Sequence, residues 1–234
     1  MWDNHQSLNA LTTSLLALAL LVTVYHIGRW ALNLPVLPLK VVTFKGTGFG
    51  SGALRHVTPE ELADVVRKEI KGSFITVDLV AARRAFMKLP WVRAAIVRRV
   101  WPQSLEVILQ EQVPLACWGS SALVNMQGDI FNAPCDTGLP VFDGPPESSR
   151  DMARQYAVFA QLLHPLQQSI EKITLSPRGA WQISLHQGTV LELGREQIEA
   201  RLGRYARLHD SVAVLLNRRL SRVDLRYPNG FAVQ

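Results

Sequence analysis

The residues that could do chemistry are few and scattered. The six histidines (His5, His26, His56, His164, His186 and His209) form no HExxH and no helical i,i+4 pair, so they lack metal-ligand spacing. There is no GxSxG elbow to expose a serine nucleophile. Neither Cys117 nor Cys135 belongs to a CxxC, which excludes a cysteine zinc ribbon. The two could form one disulfide outside the cytoplasm, or stand as two buried thiols. Acidic pairs such as Glu60 and Glu61 are explained by a helix N-terminus. Gly46, Gly48, Gly50 and Gly52 could cradle a phosphate, but their spacing is neither GxGxxG nor GxxxxGK, which favours a plain loop.

Arginine is the informative residue. Eight lie between Arg195 and Arg226: Arg195, Arg201, Arg204, Arg207, Arg218, Arg219, Arg222 and Arg226. Only Glu196, Glu199, Asp210 and Asp224 sit among them. They make either a solvated helix face or a positive surface for an acidic protein or phosphate. The chain end adds a second cue. Val223–Tyr227, the turn Pro228-Asn229-Gly230 and then Phe231-Ala232-Val233 read as strand, turn and terminal strand. A terminal strand has a free edge, and free edges recruit extended segments through main-chain hydrogen bonds.

These residues need elements to hold them. The chain has 234 residues, 48% hydrophobic and 19% charged, with net charge +6. That suits one or two globular domains and excludes both a disordered chain and a dense basic tract for nucleic acid. No Asp, Glu, Lys or Arg occurs from Leu8 to Gly28. About 21 helical residues span roughly 32 Å, a bilayer core. Trp2 and Trp30 flank the run, where indoles suit the membrane interface. A buried soluble helix or a cleaved signal peptide would also be apolar. But Met1–Ser7 lacks a basic n-region and no small-x-small site follows, so an uncleaved single-span anchor is favoured. Arg29, Lys40, Lys45 and Arg55 follow the span, and by the positive-inside rule alone they would put the C-terminal side in the cytoplasm.

After the span, Leu34–Pro38 reads as an extended stalk and Leu39–Lys45 as a strand. Thr58-Pro59-Glu60-Glu61 is a helix start with a capping box, and Leu62, Val65, Val66 and Ile70 give that helix its apolar face. Asp78 caps a second helix carrying Leu79, Ala82 and Phe86. Strands follow at Trp91–Val100, with Val92, Ala94, Ile96 or Val97 and Val100 as core candidates, and at Leu105–Gln110. There Leu105, Val107 and Leu109 alternate with Glu106, Ile108 and Gln110. Strand, helix, helix, strand, strand over residues 37–111 is a self-sufficient α+β unit. The second half predicts strands at Leu115–Trp118, Ala122–Asn125, Ile173–Ser176, Ala180–Leu185 and Val190–Leu193. It also predicts a helix over Ser149–Leu163, and another over Gln197–Leu216 with Ile198, Leu202, Tyr205, Leu208, Val212 and Leu215 inward.

The chain resembles the FtsQ/DivIB family of bacterial cell-division proteins. The resemblance rests on Leu89–Arg93, Val97–Pro102, Glu111–Trp118, Trp181–Leu185, Leu191–Arg195 and Val223–Gly230, in that order behind a single anchor. It implies an α+β fold: a short cytoplasmic tail (1–7), a transmembrane helix (8–29), a stalk (30–36), a POTRA domain (37–111) and a second, β-rich periplasmic domain (112–234). It implies the inner membrane at the division septum, with the N-terminus inside against the local charge bias. It further implies a non-catalytic scaffold without cofactor, metal, nucleic acid or small-molecule substrate. Such a scaffold links early and late divisome proteins, with the POTRA domain open to other divisome members, and holds the FtsB/FtsL pair by adding an FtsB strand. The matching surface is Arg226, Tyr227, Asn229, Gly230 and Phe231, with Arg178 near the same interface. The alternatives are a POTRA-bearing assembly or translocation factor for extended polypeptides, and a membrane-anchored hydrolase. A β-barrel segment would mark the first and a nucleophile–base constellation the second, and neither is found in the sequence.

Overall fold

The computed structural model describes residues 5–33, 41–46, 54–135, 138–216, 220–227 and 230–233. Residues 34–36 of the expected stalk, the glycines at 48, 50 and 52, and Pro228-Asn229 lie outside them, whereas residues 30–33, expected in the stalk, continue the first helix. The chain divides into two compact units, Met1–Glu111 and Gln112–Gln234.

The first unit opens with helix α1, His5–Asn33. Its 22-residue stretch Asn9–Trp30 is long and apolar enough to cross a membrane. Leu15, Leu16, Leu20 and Leu21 are all outward and exposed, which suits lipid rather than a protein core. The hydroxyls of Thr13, Ser14 and Thr23 donate to the carbonyls one turn back, so no hydroxyl proton is left to lipid there.

The POTRA fold then follows in the predicted order: β1 (Val41–Gly46), α2 (Pro59–Glu69), α3 (Leu79–Phe86), β2 (Val92–Val100) and β3 (Ser104–Glu111). The sheet order is β1-β3-β2, with β1 parallel and β2 antiparallel to β3. The caps fall where the sequence puts them. Thr58 Oγ1 accepts from Glu61 N, and Glu61 Oε2 accepts from Thr58 N at 2.9 Å. Asp78 Oδ1 accepts from Val80 N and Ala81 N. Val57, Leu62, Phe86, Val92, Ala95, Val107 and Leu109 form the core, and burying Phe86 contributes about 2–3 kcal/mol.

Strand β2 corrects the expected core. A bulge between Val92 and Ala94 adds one residue to the register. Because side chains alternate, one extra residue turns the rest of the strand over. Ala95 is therefore buried and Val97 packs on the core. Ala94 is only half-buried, and Ile96 and Val100 point out at 59% and 41% exposure. Glu106, expected outward, is 6% exposed, clasped by Lys45 at 2.7 Å and by Arg98. Those two hydrogen bonds, Arg98 first, hold its carboxyl down at about 2 against a smaller opposing effect of burial.

The second unit is a nine-stranded mixed sheet in the order β12-β11-β10-β9-β8-β7-β4-β5-β6. Its strands are β4 (Pro114–Trp118), β5 (Ala122–Asn125), β6 (Ile130–Phe131), β7 (Val141–Asp143), β8 (Ile170–Leu175), β9 (Trp181–Leu185), β10 (Val190–Gly194), β11 (Arg222–Asp224) and β12 (Ala232–Val233). The parallel pairs β7–β8 and β10–β11 each need a crossover. Helices α4 (Ser149–Leu163) and α5 (Ile198–Leu216) supply them, and both pack into one core with Phe142, Ile173, Ile183, Leu191 and Val223. Strands β6 and β7 were not foreseen. In α5, Leu202 and Tyr205 are fully buried, but Leu208, expected inward, is 43% exposed. The side chains of Val212 and Leu215 lie outside the described residues. Cys117, fully buried in β4, is bonded to Cys135, with Cα atoms 5.5 Å apart. The same end of the sheet needs glycine at 128. Its φ is +83°, and a Cβ there would come within 2.4 Å of Arg150 Cα.

Candidate partner-binding edge

The β10–β11–β12 end carries the residues the sequence singled out. Val223 pairs with Val233 and Asp224 with Ala232, so β12 is a two-residue strand with no further strand beside it among the described residues. Alternation buries Val223 and Leu225 and turns Arg222, Asp224 and Arg226 to the other face. Asp224 stands directly opposite Glu192 of β10. Two carboxylates in register repel, and an arginine on each side offsets this. Arg222 Nη2 donates to Glu192 Oε1 at 2.6 Å. Arg226 donates through N and Nε to Asp224 Oδ1 and through Nη2 to Oδ2, the last at 2.6 Å. The Arg226 side-chain bonds hold the Asp224 carboxyl below its ordinary range, against a weaker effect of burial. The same contact raises the Arg226 guanidinium.

Helix α5 reaches the edge from behind. Arg201 Nη1 donates to the Leu193 carbonyl at 2.6 Å. Arg204 Nη1 donates to the carbonyls of Tyr227 at 3.0 Å and Gly230 at 3.4 Å, tying both ends of the last turn to α5. Gly194 makes room for Arg201 and Arg226. At φ +76°, a Cβ there would sit 2.9 Å from Arg201 Nη1 and 3.2 Å from Arg226 Cγ. Phe231 is half-buried on the core, edge-to-face with Tyr205 at 6.4 Å. Behind it Tyr205 donates to Gln168 Oε1, which satisfies the buried phenol. Tyr227 stays 55% exposed.

Arg226, Tyr227, Gly230 and Phe231 thus come together, and Asn229 lies outside the described residues. Arg178 is exposed in the β8–β9 turn. The registers Leu175–Trp181, Trp181–Gly194 and Glu192–Asp224 place that turn at the same end of the sheet as Arg226. Strand β9 is two strand spacings from β11, about 10 Å. The arginine cluster divides. Arg201, Arg204, Arg222 and Arg226 are engaged within the chain, Arg195 and Arg207 are exposed, and Arg218 and Arg219 are outside the described residues. Arg204 was missed as a site residue. Its signal was its spacing from Arg201 and Tyr205 on α5, readable only once the turn it clips is known. Among the described residues, no group of three or more His, Cys, Asp or Glu could hold a metal ion.

An apolar helix long enough to cross a membrane, a POTRA unit and a mixed sheet ending in a short strand define the class of chain. Comparison with known proteins gives the family. Residues 51–112 match the POTRA domain, FtsQ-type, and residues 116–226 match the C-terminal region of cell division protein FtsQ/DivIB. The chain is 56% identical over 234 residues to cell division protein FtsQ of Nitrosospira multiformis, covering 100% of this chain and 99% of that one. It is 38% identical over 241 residues to the FtsQ of Burkholderia pseudomallei, covering 100% and 94%. For Neisseria gonorrhoeae FtsQ the figures are 33% over 235 residues, 100% and 95%. The chain belongs to the FtsQ/DivIB family of cell-division proteins, and its role lies in the division machinery.

Proposed function

We propose that this protein is a non-catalytic divisome scaffold that links early and late division proteins at the septum and holds the FtsB/FtsL pair. FtsB adds a strand beside β12, and Arg226 and Arg178 meet acidic residues of that partner. The observation that carries this reading is the free β12 edge, flanked by the exposed Tyr227 and backed by the Arg204 clip. A short edge strand offers unpaired main-chain groups, and a tyrosine at its rim is of the type enriched in binding hot spots. The topology is N-terminus in the cytoplasm and residues 30–234 in the periplasm, with 37–111 and 112–234 folding as separate domains. The Cys117–Cys135 bond supports an oxidising compartment, against the basic residues that follow the span.

The test is a pull-down from detergent-solubilised membranes with mass spectrometry. Small coiled-coil proteins of the FtsB and FtsL kind should be recovered. Phe231→Pro removes a main-chain donor at the edge and should abolish capture. Arg226→Glu leaves the backbone intact and should weaken binding at least roughly tenfold. If Arg226→Glu and Tyr227→Ala both bind like wild type while melting normally, the site is wrong. A C-terminal alkaline phosphatase fusion should be active in intact cells, and activity of a cytoplasm-only reporter instead would overturn the topology.

A further inference from the structure

We infer that the tip of the POTRA sheet carrying Ile75 and Trp101 docks on the bilayer interface beside the chain's own transmembrane helix. Three observations meet at that tip. First, it is apolar and, among the described residues, uncovered. Trp101 is 75% exposed, Ile75 50% and Val100 41%. Secondly, it is built to hold its shape. Phe74, 2% exposed, meets the Trp101 ring edge-on at 5.5 Å. Arg99 donates to the carbonyls of Phe74, Ile75 and Val77 at 2.7–3.1 Å, fastening the 74–77 loop to the end of β2. An exposed indole pinned in place costs little further ordering when it enters an interface.

Thirdly, the register says which end of the sheet this is. Strand β1 is parallel to β3, and its first residue Val41 lies opposite Ser104. Val100 pairs with Ser104 and Arg99 with Leu105. The chain therefore enters the domain at the end that bears the Trp101 turn. Only residues 34–40 separate Val41 from the end of α1 at Asn33, a reach of at most roughly 29 Å. The opposite end of the sheet holds Gly46 and Leu109. Indoles partition to the headgroup boundary, where an apolar ring and a polar N–H are both satisfied. Trp30, exposed at the end of the span, is suited to the same layer. This anchoring does not depend on which side of the membrane the domain occupies. It would restrict the domain's rotation about the stalk and so fix which of its faces looks outward along the membrane.

The chain has no free cysteine, so one introduced thiol can carry an environment-sensitive dye. The full chain is reconstituted in phosphatidylethanolamine/phosphatidylglycerol vesicles containing a doxyl-labelled lipid. Dye at Gln103→Cys, in the tip, should be quenched several-fold more than dye at Gln110→Cys, near the far end of β3. Adding Trp101→Ser and Ile75→Ser should bring quenching at 103 down to that at 110, with a small fall in melting temperature because Trp101 covers one edge of Phe74, and Ile75→Ser alone, at an exposed side chain, should lower the quenching without that fall. Equal quenching at 103 and 110 in the otherwise unaltered chain would overturn the proposal, and this comparison needs no tip variant. So would quenching at 103 that survives the double substitution. Shielding of the tip dye that appears only after a membrane extract is added would assign the patch to a protein and equally overturn it.

Discussion

The two ends of the nine-stranded sheet are held by different forces. At the β4–β5–β6 end, all four residues of β5 are buried, and the Cys117–Cys135 bond ties β4 to the segment after β6. The polar groups there are satisfied internally. Asn125 donates to Gln112 and accepts from the backbone N–H of Gln127 and Asp129. At the β10–β11–β12 end there is no covalent tie among the described residues. Besides the β10–β11 ladder and the buried Val223 and Leu225, two ion pairs and the Arg204 clip hold it, and all three involve partly solvated side chains. A covalent staple cannot exchange partners, whereas an arginine can trade an internal carboxylate or carbonyl for one on another chain. The difference lies in what holds each end: one by a covalent tie, the other by contacts that water and partners can replace.

The largest expected effect breaks the closed end. Replacing both Cys117 and Cys135 with Ala removes a cross-link with sequence separation 18. Loop-closure entropy puts the loss at about 3 kcal/mol. Urea unfolding of the solubilised chain should show a clear fall in midpoint, and reducing agent should do the same to the wild type. Binding at β12 should survive wherever the chain remains folded. A variant that lost the partner while its second unit stayed folded would show that the two ends are coupled, and the contrast would fail.

A smaller effect is expected at the open end. Arg204→Ala deletes a charged donor shared by two carbonyls and should cost about 1–2 kcal/mol. Its sharper signature is local. Amide exchange at Ala232 and Val233 should rise while that of β5 is unchanged. Arg204→Lys keeps a charge but presents one compact donor group, so it should restore only part of the protection. Uniform destabilisation without local opening would mean that Arg204 supports α5 rather than the turn.

Much of this was legible from local chemistry. Thr58 with Glu61 and Asp78 announce their helices through caps, and the alternating four- and three-residue spacing of Met152, Tyr156, Phe159 and Leu163 marks α4. These signals act within one or two turns. What escaped depends on partners distant in sequence. The β2 bulge is set by how Val92 and Ala94 meet β3, and nothing in Val-Arg-Ala-Ala-Ile marks it. Glu106 reads as an outward residue until Arg98 and Lys45 close over it. Two- and three-residue strands such as β6 and β7 have no periodicity to detect. The terminal strands and Arg226, Tyr227 and Phe231 were visible as residues, but the Arg226–Asp224 fork was not. An i,i+2 pair faces one side of a strand, yet only the parallel neighbour Glu192 explains why the arginine is needed there.

The smallest effect separates the two ends by pH. In the folded chain the Asp224 carboxyl is held below its usual range, chiefly by hydrogen bonds from Arg226. A carboxyl depressed in the folded state contributes stability that is fully present above its unfolded value, about 3.9 for aspartate. That contribution is lost as pH falls through the lower folded value. Between pH 5 and 8 the β12 edge should therefore be indifferent to pH. Once pH falls below that depressed value, Asp224 protonates in the folded chain and releases Arg226, and the edge should loosen. The side chain of Arg226 is largely solvated, so the change in global stability should be slight and salt-sensitive. The disulfide end has an ion pair of its own, Arg150 with Asp129, but Leu123 sits in the buried strand β5 between β4 and β6, and its protection should hold over the same range. The measurement is residue-resolved amide exchange, expressed as protection factors so that the intrinsic pH dependence cancels. Protection at Val233 should fall between pH 5 and pH 2.5 while that at Leu123 stays constant, and Asp224→Asn should remove the difference by abolishing the titration. Equal loss at both strands would point to general acid unfolding, with Glu106 of the first unit as a further contributor because its carboxyl is held down at about 2. Loss at Leu123 alone would reverse the assignment of which end is open.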